Sequence, residues 1–365
     1  MKRTLFIFLS VLIFKSLYAQ KDTIKIAAVG DIMLGTSYPD SSFLPKFNVQ
    51  RLFKPLKPYF DDADIRFGNL EGTLTDDLSQ AKECYTEGRC YFFAMPGSFA
   101  QSLKQAGFNL LSIANNHQND FGYVGRKSTR RNLYRSGINF AGHTECPVDT
   151  FTIDSVKYGF CAFSHNAGTV SIKNIDKAQK IIQHLDTLCD VVIVSFHAGA
   201  EGVDAQNVKR EKEFYIGEDR GNVYEFTHRM IDAGADVLLG HGPHVTRAVE
   251  VYKNRFIAYS MGNFCTYSRV SVAGLCGVAP LFHIYTNNKG EFLKARIIPT
   301  YQKKYQAPKF DSTGKVIDVI QELTRTDFPE LENVINISDS GWIEKAPSEV
   351  PQEANGADTN DSKEL

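Results

Sequence analysis

The chain has 365 residues, 43% of them hydrophobic, and a formal net charge of −1. That length and apolar content suffice for one large buried core, and a charge so near balance gives no overall pull toward nucleic acid, so no nucleic-acid partner is expected. The seven cysteines lack the close spacing of a structural zinc site.

The first nineteen residues have the layout of a secretory signal: Lys2 and Arg3, the apolar stretch Leu5–Phe14, then the small residue Ala19 at the cut. The apolar stretch is too short for a bilayer span, which needs about twenty residues. The protein is expected to be exported to the periplasm or the outside, or tethered to the membrane if the signal stays on. Export permits disulfides. Cys84 and Cys90, which bracket a short polar loop, are the best pair, with Cys265 and Cys276 second. Cys161 and Cys189 sit in or beside apolar runs and read as buried thiols. Tyr91-Phe92-Phe93 reads as core.

Five segments then share one layout, an apolar run that stops at a polar cluster. Thr23–Gly30 ends in Asp31, and Asp64–Gly68 ends in Asn69 and Glu71. Phe108–Ala114 ends in Asn116 and His117, with Asp120 after them. Asp190–Phe196 ends in His197 and Glu201, and Ala235–Gly240 ends in His241 and His244. Such runs predict strands buried on both faces of a largely parallel sheet. Helical spacing separates them: Pro96–Ala106 closed by Gly107, Ile175–Leu188, and Val223–Ala233 closed by Gly234. Alternation of this kind predicts an α/β fold built from right-handed βαβ units, in which ligands bind at the carboxyl ends of the strands. All five clusters fall at that edge.

Beyond His244, Thr246–Tyr252 with Arg255–Tyr259 and Leu281–Tyr285 with Phe292–Ile298 read as hairpins of a second, antiparallel region. Residues 22–300 are expected to form the main domain, 301–345 an extension packed on it, and 346–365 a disordered acidic tail.

The gathered donors are oxygen and imidazole without thiolate, which suits a divalent cation such as Mn, Zn, Fe or Mg. Asp31, Asn69, Glu71, Asn116, His197, His241 and His244 are the candidate ligands, enough for one ion or two, which would polarise a substrate and activate water. His117, Asp120 and Glu201 are the candidate catalytic groups, His117 as general acid. Arg126, Arg220 and Asn263 are candidates for holding substrate. Arg126 opens a run of basic residues whose ordinary role is a solvated helix face and whose functional role would be a landing strip for an anionic polymer.

Read together and in order, Val29-Gly-Asp31-Ile-Met-Leu-Gly, Gly68-Asn-Leu-Glu71-Gly-Thr, Ala114-Asn-Asn-His117-Gln-Asn-Asp120-Phe-Gly, His197-Ala-Gly-Ala-Glu201, Gly240-His-Gly-Pro-His244-Val and Tyr259-Ser-Met-Gly-Asn-Phe264 resemble the CapA family of poly-γ-glutamate capsule synthesis proteins. That family is similar to the calcineurin-like metallophosphoesterases, and the resemblance implies their α/β/β/α sandwich of two facing sheets flanked by helices. It aligns Asp31, Asn116 with His117, His197, and His241 with His244 onto the phosphoesterase metal and Asn-His motifs. Met33 stands where phosphoesterases have a histidine, and Asn69 where they have a bridging aspartate. Two residues, not one, separate His241 from His244. An amide offsets the repulsion between two cations poorly, which favours one ion over two. The resemblance implies an exported metal-binding hydrolase that makes or handles an anionic surface polymer, with membrane polymer-synthase components as partners. A non-catalytic polymer-binding component and a secreted phosphoesterase are the alternatives.

Overall fold

In the computed structural model, which describes residues 22–83 and 91–347, every residue of Val191–His197 and of Val237–His241 is buried. Strands covered on both faces favour β-branched and leucine side chains throughout, which is why these runs lack the alternation of a half-exposed strand. The two lie side by side in parallel, with His197 opposite His241. Val156–Ser164 and Arg255–Ala258 extend the parallel set, and Val148–Ile153 and Val249–Tyr252 close its edges as antiparallel hairpin partners.

The other sheet is mixed and centred on Thr23–Met33. This strand runs parallel to Ile65–Leu70, which leads through Leu110–Ser112 to Asn139–Ala141, and parallel to the short Asn263–Thr266. It also pairs antiparallel with Val278–Asn287, the first arm of a hairpin with Phe292–Tyr301. Ile335–Ile337 and Trp342–Lys345 extend the far side. Residues 301–345 are therefore woven into the sheet, a closer integration than packing upon it.

The central strand shows how the layers form. Ile24, Ile26 and Ala28 point into a cluster shared with Phe160, Val192 and Leu238 of the other sheet, whereas Ala27 and Val29 point into a separate cluster on the outer side. Across the shared layer Phe67 meets Phe160 at 5.9 Å and Phe256 meets Phe282 at 5.6 Å, both edge to face. Helices α1 (Phe99–Ala106) and α2 (Gly122–Arg135) cover the outer face of the mixed sheet through Leu103 and Leu133. Helices α3 (Ile175–Asp186) and α4 (Val223–Asp232) cover the other sheet, Phe226 of α4 lying 5.4 Å from Phe163 and 5.9 Å from Phe196. A fifth helix, α5 (Lys315–Asp327), closes the side of the sandwich, where Thr324 Oγ1 accepts from the Val249 amide at 3.2 Å. The architecture is the expected α/β/β/α sandwich.

Several local expectations change. Cys265 and Cys276 are both free thiols: Cys265 is buried in the outer apolar cluster, turned away from any partner. Cys189 is only half-buried, and Tyr91 is 44% exposed while Phe92 and Phe93 are buried. Cys84, Cys90, the signal segment and the end of the acidic tail lie outside the described residues. Among the described residues no helix is long and apolar enough to cross a membrane.

Burial of neutral histidines makes their contribution to stability acid-sensitive. Burial, with help from Arg130, draws the pKa of His143 down to about 3, and burial draws His283 down to about 4 although its Nε2–H donates to the Tyr59 carbonyl at 2.7 Å. Unfolded, both take a proton near 6.5, so the stability they contribute is complete above that pH and is lost as pH falls toward 4. Asp236, raised by burial to about 7, and Asp149 and Asp327, also raised by burial, work in the opposite sense, so the histidine contribution shows as a difference. His283→Gln, which keeps a donor to Tyr59, should gain stability, measured as melting temperature, relative to the parent as pH falls from 6.5 to 4. An identical slope in the variant would contradict this assignment.

Candidate metal centre

Strand register does most of the assembly. In the mixed sheet Asp31 lies opposite Asn69 on one side and Asn263 on the other. In the facing sheet His197 lies opposite His241. Because all these strands stop at one edge, the two rows of polar side chains confront each other across the sandwich. Glu71 follows on the turn after Asn69, and His244 on the turn after His241. That second turn needs its glycine: Gly242 has φ +116°, and a Cβ there would come within 2.7 Å of the Ala198 carbonyl oxygen. His244 itself sits at φ 57°, a region non-glycine residues seldom occupy and functional sites often hold.

The side chains form a connected set. Asn115 donates to the Leu70 carbonyl at 2.9 Å and to Asn69 Oδ1 at 3.2 Å, and Asn69 Nδ2 donates to Asp31 Oδ1 at 2.9 Å. Asp31 Oδ2 and Asn263 Oδ1 both accept from His244 Nδ1–H, each at 3.1 Å. His244 Nε2 is then the ring's other nitrogen, 3.6 Å from Glu71 Oε1. One ligand-type atom each from Asp31, Glu71 and His244 falls within 4.8 Å of the other two. His241 Nδ1 is 3.3 Å from Asp31 Oδ1, without the alignment of a hydrogen bond.

What remains unpartnered is informative. Both carboxylate oxygens of Glu71, both nitrogens of His197 and of His241, and Asn116 Oδ1 are buried with no hydrogen-bond partner. A buried polar atom left unsatisfied costs about 1–3 kcal/mol, and native interiors rarely keep several together. Oxygen and imidazole donors orphaned on one rim fit a borderline or hard divalent cation.

The charge balance agrees. Burial by itself would raise the pKa of Asp31, but the His241 imidazole beside it and the hydrogen bond with His244 outweigh burial and hold the carboxyl well below its usual range. Burial pushes Glu71 well above the carboxylate range, with His244 only partly offsetting it. Burial opposes charging of His244, yet Glu71 and Asp31 outweigh it and hold the imidazole well above its ordinary value. Burial depresses His197. A cation taken up here would displace the protons carried at its ligand atoms.

Residues 25–268, well over half the chain, match the family described as "Bacterial capsule synthesis protein PGA_cap". The chain belongs to this capsule-synthesis family. Among its relatives, the capsule biosynthesis protein CapA of Bacillus anthracis is 25% identical over 266 residues, covering 68% of this chain and 61% of that relative's own length. The PGA biosynthesis protein CapA of Bacillus subtilis (strain 168) is 26% identical over 337 residues, covering 83% of this chain and 78% of the relative. A probable polyglutamine synthesis accessory protein of Mycobacterium tuberculosis (strain CDC 1551 / Oshkosh) is 25% identical over 229 residues, covering 55% of each.

In this PGA_cap chain the remaining candidates divide. Asn116, His117, Glu201, Arg220 and His244 line one cleft of about 660 Å³. His117 Nδ1 lies 2.9 Å from Asp120 Oδ2, and Asp120, fully buried, also accepts from the Phe93 amide at 2.8 Å and pairs with Lys82. Asp120 therefore orients His117 from below. Arg220 is held by Glu201 at 2.9 Å and Glu218 at 3.0 Å, so its charge is already matched. Asn263 is enclosed: Nδ2 donates to the carbonyls of His244, Ser271 and Cys276, which makes it a brace for His244 and not a substrate contact. Asn69 Oδ1 likewise accepts from Asn115, while its Nδ2 holds Asp31 in place. Arg126 is not among the cleft-lining residues; its guanidinium turns to Glu145 at 3.3 Å and to Asn119.

Sequence reading missed His165. Val156–Ser164 is a sixth strand ending at the same edge, with Ser164 opposite His197, and His165 is the next residue. Its ring stacks 6.2 Å from that of His197, and its Nδ1 lies 3.3 Å from the His197 carbonyl oxygen. The signal was present in Phe163-Ser-His165-Asn, but Lys157 and Gly159 break the apolar run that marked the other strands. Asn115 stands in the same strand-end cluster as Asn116 and His117, and its bracing role through Asn69 and the Leu70 carbonyl was not legible from the sequence.

Because Asn263 fixes both the ring plane and the tautomer of His244, Asn263→Ala should weaken cation binding about 10–100-fold, and it should lower stability as well because buried carbonyls lose their donor. Competition titration with a metal indicator dye, paired with urea unfolding, measures both. Undiminished affinity in the variant would remove Asn263 from the site.

Proposed function

We propose that this PGA_cap-family protein is an exported, metal-dependent hydrolase-type enzyme acting on an anionic capsule polymer of the polyglutamate kind. The orphaned buried donors of Glu71, His197 and His241, set against Asp31 and His244 at one strand edge, carry the metal part of this reading. The names of its relatives support the polymer part, and the basic, apolar and small-residue order of the first nineteen residues supports export.

Asp31, Glu71, His197, His241 and His244 would hold the cation, with Asn116 Oδ1 as a further oxygen donor. A divalent ion there would supply Lewis-acid polarisation of a carbonyl or phosphoryl oxygen and an acidified water. The chain's own proton chemistry falls to His117. Its Nδ1–H donates to Asp120, and Phe93 packs its ring 4.3 Å away, so its orientation is fixed; protonated also at Nε2, as the imidazolium, it would deliver that proton to a leaving group and return to the Nδ1–H tautomer. Substrate would lie in the cleft between His117 and His244, above the buried ligands.

A non-catalytic, polymer-binding role is favoured by one observation. The second-ion machinery of a phosphoesterase is missing here: Asn69 is committed to Asp31 and Asn115, and Met33 is buried with its sulfur against the Gly35 amide at 3.3 Å. One cation is therefore the expected complement.

Purified protein supplied with Mn, Zn or Mg should turn over γ-glutamyl chains or model phosphodiesters. His241→Ala should abolish the activity, and His117→Gln should lower kcat about 10²–10⁴-fold with the metal retained. No turnover with any of these metals, together with full polymer binding, would establish the binding role instead.

A further inference from the structure

The metal cleft does not end at its own rim. A second cavity of about 740 Å³ abuts it, sharing Tyr91, Arg269, Val270 and Ser271 with the first and continuing to Lys303 and Lys304. The two differ in charge. In the first, Lys82 is answered by Asp120 and Arg220 by Glu201 and Glu218. Among the described residues the second is lined by Arg269, Lys303 and Lys304 with no acid, and none of the three forms an ion pair. Asp40, whose carboxyl feels Arg269, is exposed and outside the lining.

Arg269 stands at the junction, and it is prepared. Its guanidinium lies 4.7 Å from the centroid of Phe43 and 5.1 Å from that of Tyr91, and its Nε is buried with no partner. Its backbone has φ 65°. A planar donor fork held against two rings, on a backbone that non-glycine residues seldom adopt, loses little freedom when it takes a carboxylate or phosphate. A small ester would occupy only the first cavity. Successive unmatched cations leading away from a catalytic centre suit a ligand with successive negative charges.

We propose that the second cavity is a track for a linear polyanion: one anionic unit sits at the metal centre, the next lies against Arg269, and those beyond it against Lys303 and Lys304. This deepens the polymer reading above and rests on it. The track makes affinity depend on chain length, and salt should weaken that dependence because the outer lysines are exposed.

Metal-loaded protein should bind long poly-γ-glutamate at least about tenfold more tightly than the γ-glutamyl dimer, a difference of about 1.4 kcal/mol. Arg269→Gln should weaken dimer and polymer alike, because the dimer's second unit already lies against Arg269. The exposed pair Lys303→Gln with Lys304→Gln, which does not disturb the fold, should remove most of the polymer's advantage and leave dimer binding intact. Equal affinity for dimer and polymer, or full polymer affinity in the lysine variant, would overturn the track. Length-dependent binding of polyphosphate alone, lost in the lysine variant, would keep the track and remove the glutamate reading. Failure of every polyanion to bind would remove both.

Discussion

Two rows of polar side chains, one from each sheet, are driven into a buried edge where the protein supplies too few partners for them. That is the constraint on which the rest of the architecture turns. Each row is fixed by strand register, Asp31 with Asn69 and Asn263 in one sheet and His197 with His241 in the other. Packing of Phe67 against Phe160 and of Phe256 against Phe282 sets the spacing between rows. A core that rigid cannot relax to satisfy Glu71, His197 and His241, and on the proposed reading a cation would meet the deficit.

The parts around this edge act as braces. Arg247, fully buried, grips Glu213 through both guanidinium nitrogens at 2.8 and 2.6 Å and reaches the Ala200 carbonyl at 3.2 Å, tying the segment after His197 to the hairpin that carries Arg220. Such a pair holds geometry more than it adds net stability, since burying both charges offsets much of their attraction. Asn115, Asn69 and Asn263 do the same for Asp31 and His244 with amides. This explains why Asn69 is compatible with the site although it cannot bridge two ions: its task is to present Asp31.

Much of this was legible from residue order. The buried strands announced themselves as unbroken Val, Ile and Leu runs, the closing helices as 3.6-residue spacing stopped by Gly107 and Gly234, and the site as polar groups at strand ends. What stayed hidden followed from side-chain direction, which sequence alone does not state. Asn263 and Asn69 looked like ligands or substrate contacts because amides suit either role, and only their partners, three carbonyls for Asn263 and the Asp31 carboxylate with the Asn115 amide for Asn69, show that they brace the site. Arg126 looked like part of the site because its helix follows His117, yet one turn of helix was enough to aim it at Glu145. His165 was masked by Lys157 and Gly159 in its strand. Cys265 and Cys276, near in sequence, were separated by the inward turn of Cys265 into the core.

On the proposed reading a single cation completes this edge. Calorimetric titration of Mn into chelator-stripped protein tests it most directly. One saturable site per chain, with protons released on binding and the site lost in Glu71→Gln combined with His241→Ala, is the result predicted. The absence of saturable binding, or binding that survives loss of both side chains, would contradict it.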